Sequence, residues 1–108
     1  MEPECLVVLS TCPDAASAEK IARDLVERRL AACVNVLPGL RSVYTWQGTC
    51  ESAEEHLLFI KIQAAAYGAV EREIRALHPY ELPEIVAVPI AAGLPDYLAW
   101  IKQNSAPT

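Results

Sequence analysis

The stretch His78-Pro79-Tyr80-Glu81-Leu82-Pro83-Glu84-Ile85 gathers an imidazole, a phenol and two glutamates into one short segment. Its prolines each fix their own φ and restrict the residue before them. Side chains on so stiff a segment need little ordering when a ligand arrives. The same pattern also describes a rigid turn that stops a helix and feeds a strand, because the apolar run Ile85-Val86-Ala87-Val88-Pro89-Ile90 follows at once. His78 has two readings: a metal ligand or hydrogen-bonding group in a cleft, or a cap on the helix before it. Cys12, just ahead of Pro13, sits where a strand end meets the start of a helix. A helix N-terminus lowers a thiol pKa, so Cys12 is the cysteine expected to react. Cys5 and Cys33 read as core residues and Cys50 as exposed beside a hairpin. None of the four forms a C-x-x-C pair, so no zinc knuckle or redox motif is signalled. No Ser/His/Asp arrangement, nucleophile elbow or glycine-rich phosphate loop can be assembled, and the chain is expected to be non-catalytic.

The elements that must position these residues follow from periodicity. Cys5–Leu9 is a branched apolar run and reads as a first strand, with Asp14 as the N-cap of a following helix. Ala18, Ile21, Ala22, Leu25 and Val26 form the apolar stripe of that helix, and Glu19–Arg23, Lys20–Asp24 and Asp24–Arg28 are spaced as ion pairs on its wet face. A second strand starts at Ala32–Leu37, is bent by Pro38-Gly39, and resumes at Ser42–Trp46. Gln47-Gly48-Thr49 is a hairpin connection. Glu55–Ile62 returns as a third strand, a second helix runs over 64–77, a fourth strand covers Ile85–Ile90, and a short helix opens at Gly93-Leu94-Pro95-Asp96 before a tail over 105–108. The order βαββαβ plus a terminal helix predicts a single α+β domain over 1–108, a ferredoxin-like, split-βαβ antiparallel sheet with both main helices on one face.

Alternation places Glu55, Leu57, Phe59 and Lys61 on one face of the third strand, and His56, Leu58, Ile60 and Ile62 on the other. One set packs on the helices. The other would lie bare, and each large apolar side chain gains roughly 1.5–3 kcal/mol on burial. A sister subunit's sheet is the economical cover, so a homo-oligomer is expected. Glu55 and Lys61 bracket apolar side chains and are costly if buried without partners. They are candidates for an intersubunit cleft shared with Tyr44, Trp46, Tyr80, Glu81 and Glu84; the competing reading is a structural ion-pair network at the same interface. His56 reads as a surface or interface residue.

The chain has 108 residues, 53% of them apolar and 21% charged, with a net charge of −5. That is greasy for so short a chain and again argues for surface covered by another subunit. No basic cluster exceeds Arg28-Arg29, which makes nucleic acid an unsuitable partner. No apolar run approaches the ~20 residues of a membrane helix, and the acidic start Met1-Glu2-Pro3-Glu4 lacks a signal peptide's positive charge. A cytoplasmic protein with reduced cysteines is expected.

Several strings taken in order resemble the CutA divalent-cation tolerance family. They are Leu25-Val26-Glu27, Leu30-Ala31-Ala32-Cys33-Val34-Asn35-Val36, Pro38-Gly39, Ser42-Val43-Tyr44-Thr45-Trp46-Gln47-Gly48, Ile60-Lys61, the segment His78–Ile85, and Tyr97-Leu98-Ala99-Trp100-Ile101. The resemblance implies a stable homotrimer, akin in fold and assembly to PII signalling proteins, with long second and third strands pairing across subunits and ligand clefts at the seams. It also implies copper or another divalent cation as a ligand. The copper ligands assigned in the family match Ser10, Leu77 and His78, of which only His78 is a ligand type. On that implication His78 would be the first ligand, with Cys12 or Glu84 as helpers, a mixed N/S/O set suited to Cu²⁺ or Zn²⁺. The likeness to PII proteins implies an alternative role, a signalling or scaffolding trimer that recognises another protein.

Overall fold

The computed structural model describes residues 2–106; Met1, and Pro107 and Thr108 of the expected tail, lie outside the described residues. Eight elements follow one another: β1 Cys5–Cys12, α1 Ala15–Glu27, β2 Cys33–Trp46, β3 Thr49–Gln63, a 3-10 turn Ala64–Ala66, α2 Tyr67–Leu77, β4 Val86–Pro89 and α3 Pro95–Asn104. The sheet order is β2-β3-β1-β4, and each neighbouring pair is antiparallel. β3 thus lies between β1 and β2, and β1 between β3 and β4, which is the split arrangement expected from the sequence.

α1 begins where Asp14, in extended backbone, accepts the Ser17 N–H on Oδ1 at 2.8 Å. It ends in a Schellman turn: the Arg29 N–H reaches the Val26 carbonyl, the Leu30 N–H reaches the Leu25 carbonyl, and Arg29 takes a left-handed φ of 60°. On its wet face Arg23 pairs with Glu19, and Arg28 with both Asp24 and Glu73 of α2. α2 stops at His78, whose backbone is extended as the following proline requires, while its N–H still reaches the Ile74 carbonyl.

The core lies between the two main helices and one sheet face. Ile21 and Leu25 of α1, Val70 and Ile74 of α2, Val8 of β1 and Leu58, Ile60 and Ile62 of β3 are fully buried together. Strand register puts Val7, Leu9 and Thr11 of β1, Leu57, Phe59 and Lys61 of β3, Leu37 of β2 and Val86 and Val88 of β4 on the opposite face. α3 covers only one end of that face, where Ile101 packs with Cys5 and Ala32. Beyond α3 the face stays open, and Leu37, Val86 and Val88 are all exposed.

Several bounds differ from those read off the sequence. β1 continues through Ser10, Thr11 and Cys12, which pair with Leu58, Leu57 and His56; a neighbouring strand satisfies the backbone there despite the polar side chains. β3 starts at Thr49, well before Glu55, so β2 and β3 form a hairpin of 14 and 15 residues. Pro38-Gly39 bulges that hairpin without ending it, with Gly39 at φ 78°. β4 is shorter than the apolar run, and the second helix begins as a 3-10 turn. Ser105 is no free tail: it is fully buried, its Oγ accepts from the Gln63 N–H and donates to the Ile101 carbonyl, and it fastens α3 to β3.

Candidate functional site

His78 closes α2 and is 8% exposed. Its Nε2 lies 2.7 Å from the Thr11 carbonyl, and its Nδ1 lies 3.1 Å from the Tyr80 backbone nitrogen. A carbonyl only accepts and a backbone N–H only donates, so Nε2 carries the hydrogen and Nδ1 supplies the lone pair. Both ring nitrogens are thereby used in tying the 78–85 loop to the end of β1. The ring also lies against Tyr80, with centroids 4.8 Å apart.

Cys12 is fully buried, its Sγ 3.8 Å from His78 Nε2. Burial pushes its thiol up to about 11, and the Asp14 and Glu55 carboxylates push the same way. The neighbouring helix N-terminus does not produce the activated thiolate expected, because desolvation outweighs it. Glu84 is exposed on the loop. Among the described residues no group of three His, Cys, Asp or Glu side chains converges closely enough to hold a metal ion. His78, Cys12 and Glu84, as folded here, do not fit a Cu²⁺ or Zn²⁺ centre: they do not converge, and the imidazole lone pair is occupied by the Tyr80 N–H.

The second group of candidates does converge. The outer part of the β2–β3 hairpin and the 78–85 loop enclose a cleft of about 850 Å³. Tyr44 and Trp46 come from β2, Glu55 from β3, Thr11 from β1, and Tyr80, Glu81 and Glu84 from the loop. Register explains the convergence. Leu40 pairs with Glu55 and Trp46 with Thr49, so Ser42, Tyr44, Trp46 and Glu55 share the open face with Thr11. Glu55 is 6% exposed, and its Oε2 accepts from the Tyr80 hydroxyl at 2.7 Å. Burial, and then this bond to Glu55, hold the Tyr80 phenol well above its ordinary range, so it remains a donor.

Lys61 does not join the cleft. It lies six residues along β3 from Glu55, roughly 20 Å at the rise of a strand, and its Nζ meets Tyr97 of α3 at 3.3 Å from the hydroxyl and 5.5 Å from the ring centroid. α3, packed on that end of the sheet, captures the ammonium that the face pattern alone assigned to the cleft. Thr11, Ser42, Val43, Pro79, Leu82 and Pro83 also line the cleft and were not singled out individually. The loop residues belong to the segment that drew attention; Thr11 could be found only by knowing that β1 extends past Leu9.

The family model for the CutA1 divalent ion tolerance protein matches residues 6–104. This chain belongs to the CutA1 family. It is 50% identical to the divalent-cation tolerance protein CutA of Thermus thermophilus, over 92% of this chain and 96% of that one. It is 45% identical to mouse protein CutA over 86% of this chain, which spans about half of that longer relative (52%). Among solved structures, that of CutA from Xylella fastidiosa superposes with a TM-score of 0.93 at 48% identity, covering 95% of this chain and 99% of that one. The α+β architecture is therefore that of CutA proteins.

Proposed function

We propose that this CutA-family chain serves divalent-cation tolerance without catalysis, as a cytoplasmic homotrimer whose intersubunit clefts bind a small ligand or a divalent cation. One observation carries the reading: the cleft opens on the same sheet face that leaves Leu37, Val86 and Val88 exposed. A sister sheet laid on that face would bury those side chains and close the cleft in one step. Four free cysteines suit a reducing compartment. Between the two ligand classes, the cleft favours a small organic molecule, since about 850 Å³ is the size of a small-molecule site and the His78 nitrogens are already bonded. An alternative is a PII-like signalling or scaffolding trimer in which metal binding is incidental. It is favoured by the exposed hairpin arm, where Val43 is 67% exposed and could meet another protein.

Sedimentation equilibrium at micromolar concentration tests the assembly: a three-subunit mass is expected, and a folded monomer would refute it. Calorimetric copper titration of wild type and His78→Ala tests the metal. Matching isotherms are expected, whereas loss of a tight site in the variant would restore His78 as a ligand.

A further inference from the structure

The charge in the cleft is unbalanced. Glu55, Glu81 and Glu84 contribute three carboxylates, and among the described residues no Lys, Arg or His lines the space. The acidic side chains found in ion pairs among the described residues are Glu4, Glu19, Asp24 and Glu73, none of them in the cleft. Glu55 matters most. It is more than nine-tenths buried, its one hydrogen bond among the described residues comes from a neutral phenol, and that bond engages Oε2 alone. A largely buried carboxylate with one oxygen free and no cation lining the space is a natural partner for a positive charge. A cationic ligand would supply that charge.

The rest of the lining says what kind of cation. Tyr44 and Trp46 stand two residues apart on β2 and so present their rings on one face, opposite the Tyr80 loop. Aromatic faces attract ammonium and guanidinium groups through the negative potential over the ring. A bare metal ion instead demands several oxygen, nitrogen or sulfur ligands at coordination distance, and the described residues offer no group of three. We propose that the cleft binds a small organic cation, an amine or guanidinium compound, with its charge against Glu55 and its body among Tyr44, Trp46 and Tyr80. The proposal rests on the reading of the cleft as the functional site and names the chemical class that site takes.

Trp46 and Trp100 are the only tryptophans, and Trp100 stacks on Tyr97 of α3, away from the cleft. In a Trp100→Phe background, indole fluorescence therefore reports on the cleft alone. Agmatine and choline are the probes, with magnesium chloride and sodium citrate as inorganic-cation and anion controls. The expected result is a saturable change with at least one of the two organic cations and none with either control. Glu55→Gln should weaken binding about tenfold, and the exposed Glu84→Gln, which leaves the fold untouched, about threefold. Silence toward both organic cations, saturation by citrate, or unchanged affinity in both variants would overturn the proposal. Sedimentation of the same samples separates the two readings. A trimer that ignores both cations refutes the ligand class; a folded monomer that binds one refutes the assembly and keeps the class; a monomer that ignores both refutes both.

Discussion

His78 and Cys12 look like a ligand pair in the sequence and act as a fastener in the fold. The imidazole spends Nε2 on the Thr11 carbonyl and Nδ1 on the Tyr80 N–H. Replacing it by alanine removes both bonds and strands a carbonyl beside buried residues, which should cost about 2–3 kcal/mol. Urea melts of His78→Ala against wild type measure this directly; a loss under about 0.5 kcal/mol would mean that the loop is held by other contacts. Cys12 makes a separate prediction. Its folded pKa stands at about 11, above the ordinary 9.0 that an unfolded chain shows. A raised value favours the folded state at every pH below 9, and that contribution fades as the pH climbs from 9 through 11. Cys12→Ala should therefore flatten the alkaline loss of stability over that window, although the Tyr80 phenol, also shifted upward, leaves a residual slope. Thermal melts across the range decide it. In native protein, iodoacetamide should label exposed Cys50 first and Cys12 last.

The β2–β3 hairpin is the element that makes the cleft. Its outer part, Arg41–Trp46 with Thr49–Glu54, has no third strand beside it among the described residues and is exposed along most of its length. Its two-residue connection, Gln47 at φ 50° and Gly48 at φ 78°, is a type I′ turn. Glycine takes that geometry freely and glutamine does not. Gln47→Asn should raise the melting temperature by an amount equivalent to about 0.5 kcal/mol, measured by calorimetry; a lowered value would show that the Gln47 side chain makes a contact of its own. Most of this element was legible: alternation, the Pro38-Gly39 bulge and the Gly48 turn all mark it. Its full length was not, because Thr49-Cys50-Glu51-Ser52-Ala53-Glu54 is mostly polar or small with Thr49 its one strand-favouring type, and pairing with β2 holds it extended instead. The cleft was legible to the same degree. Tyr44, Trp46, Glu55, Tyr80, Glu81 and Glu84 share a strand face or one stiff loop, and both signals are local. Lys61 shares the strand face too, but α3 returns over that end of the sheet, a long-range fact that no local pattern carries.

At the scale of the whole molecule, one core is closed and one face is not. The helices seal Val8, Leu58, Ile60 and Ile62 completely, while α3 reaches only the Cys5 end of the other side. A two-stranded hairpin is marginal in water by itself, yet here it presents Tyr44 and Trp46 to solvent on the open face. Each of these would gain roughly 1.5–3 kcal/mol under a sister subunit. The proposed trimer thus stabilises the arm and builds the cleft by the same contact, which ties ligand binding to assembly. Phe59 is the place to test that tie. It lies mid-strand on the open face, paired with Leu9 and Asn35, and is half-buried in the lone chain. Phe59→Glu leaves the carboxylate wet in a monomer but buries it unpaired in a trimer, at a cost of several kcal/mol. The variant should sediment as a monomer, melt well below wild type, and show wild type's concentration-dependent melting abolished. Phe59→Leu, which keeps the face apolar, should remain assembled. A Phe59→Glu protein that still sediments as a trimer would mean that the subunits meet elsewhere, and that this sheet face has some other cover.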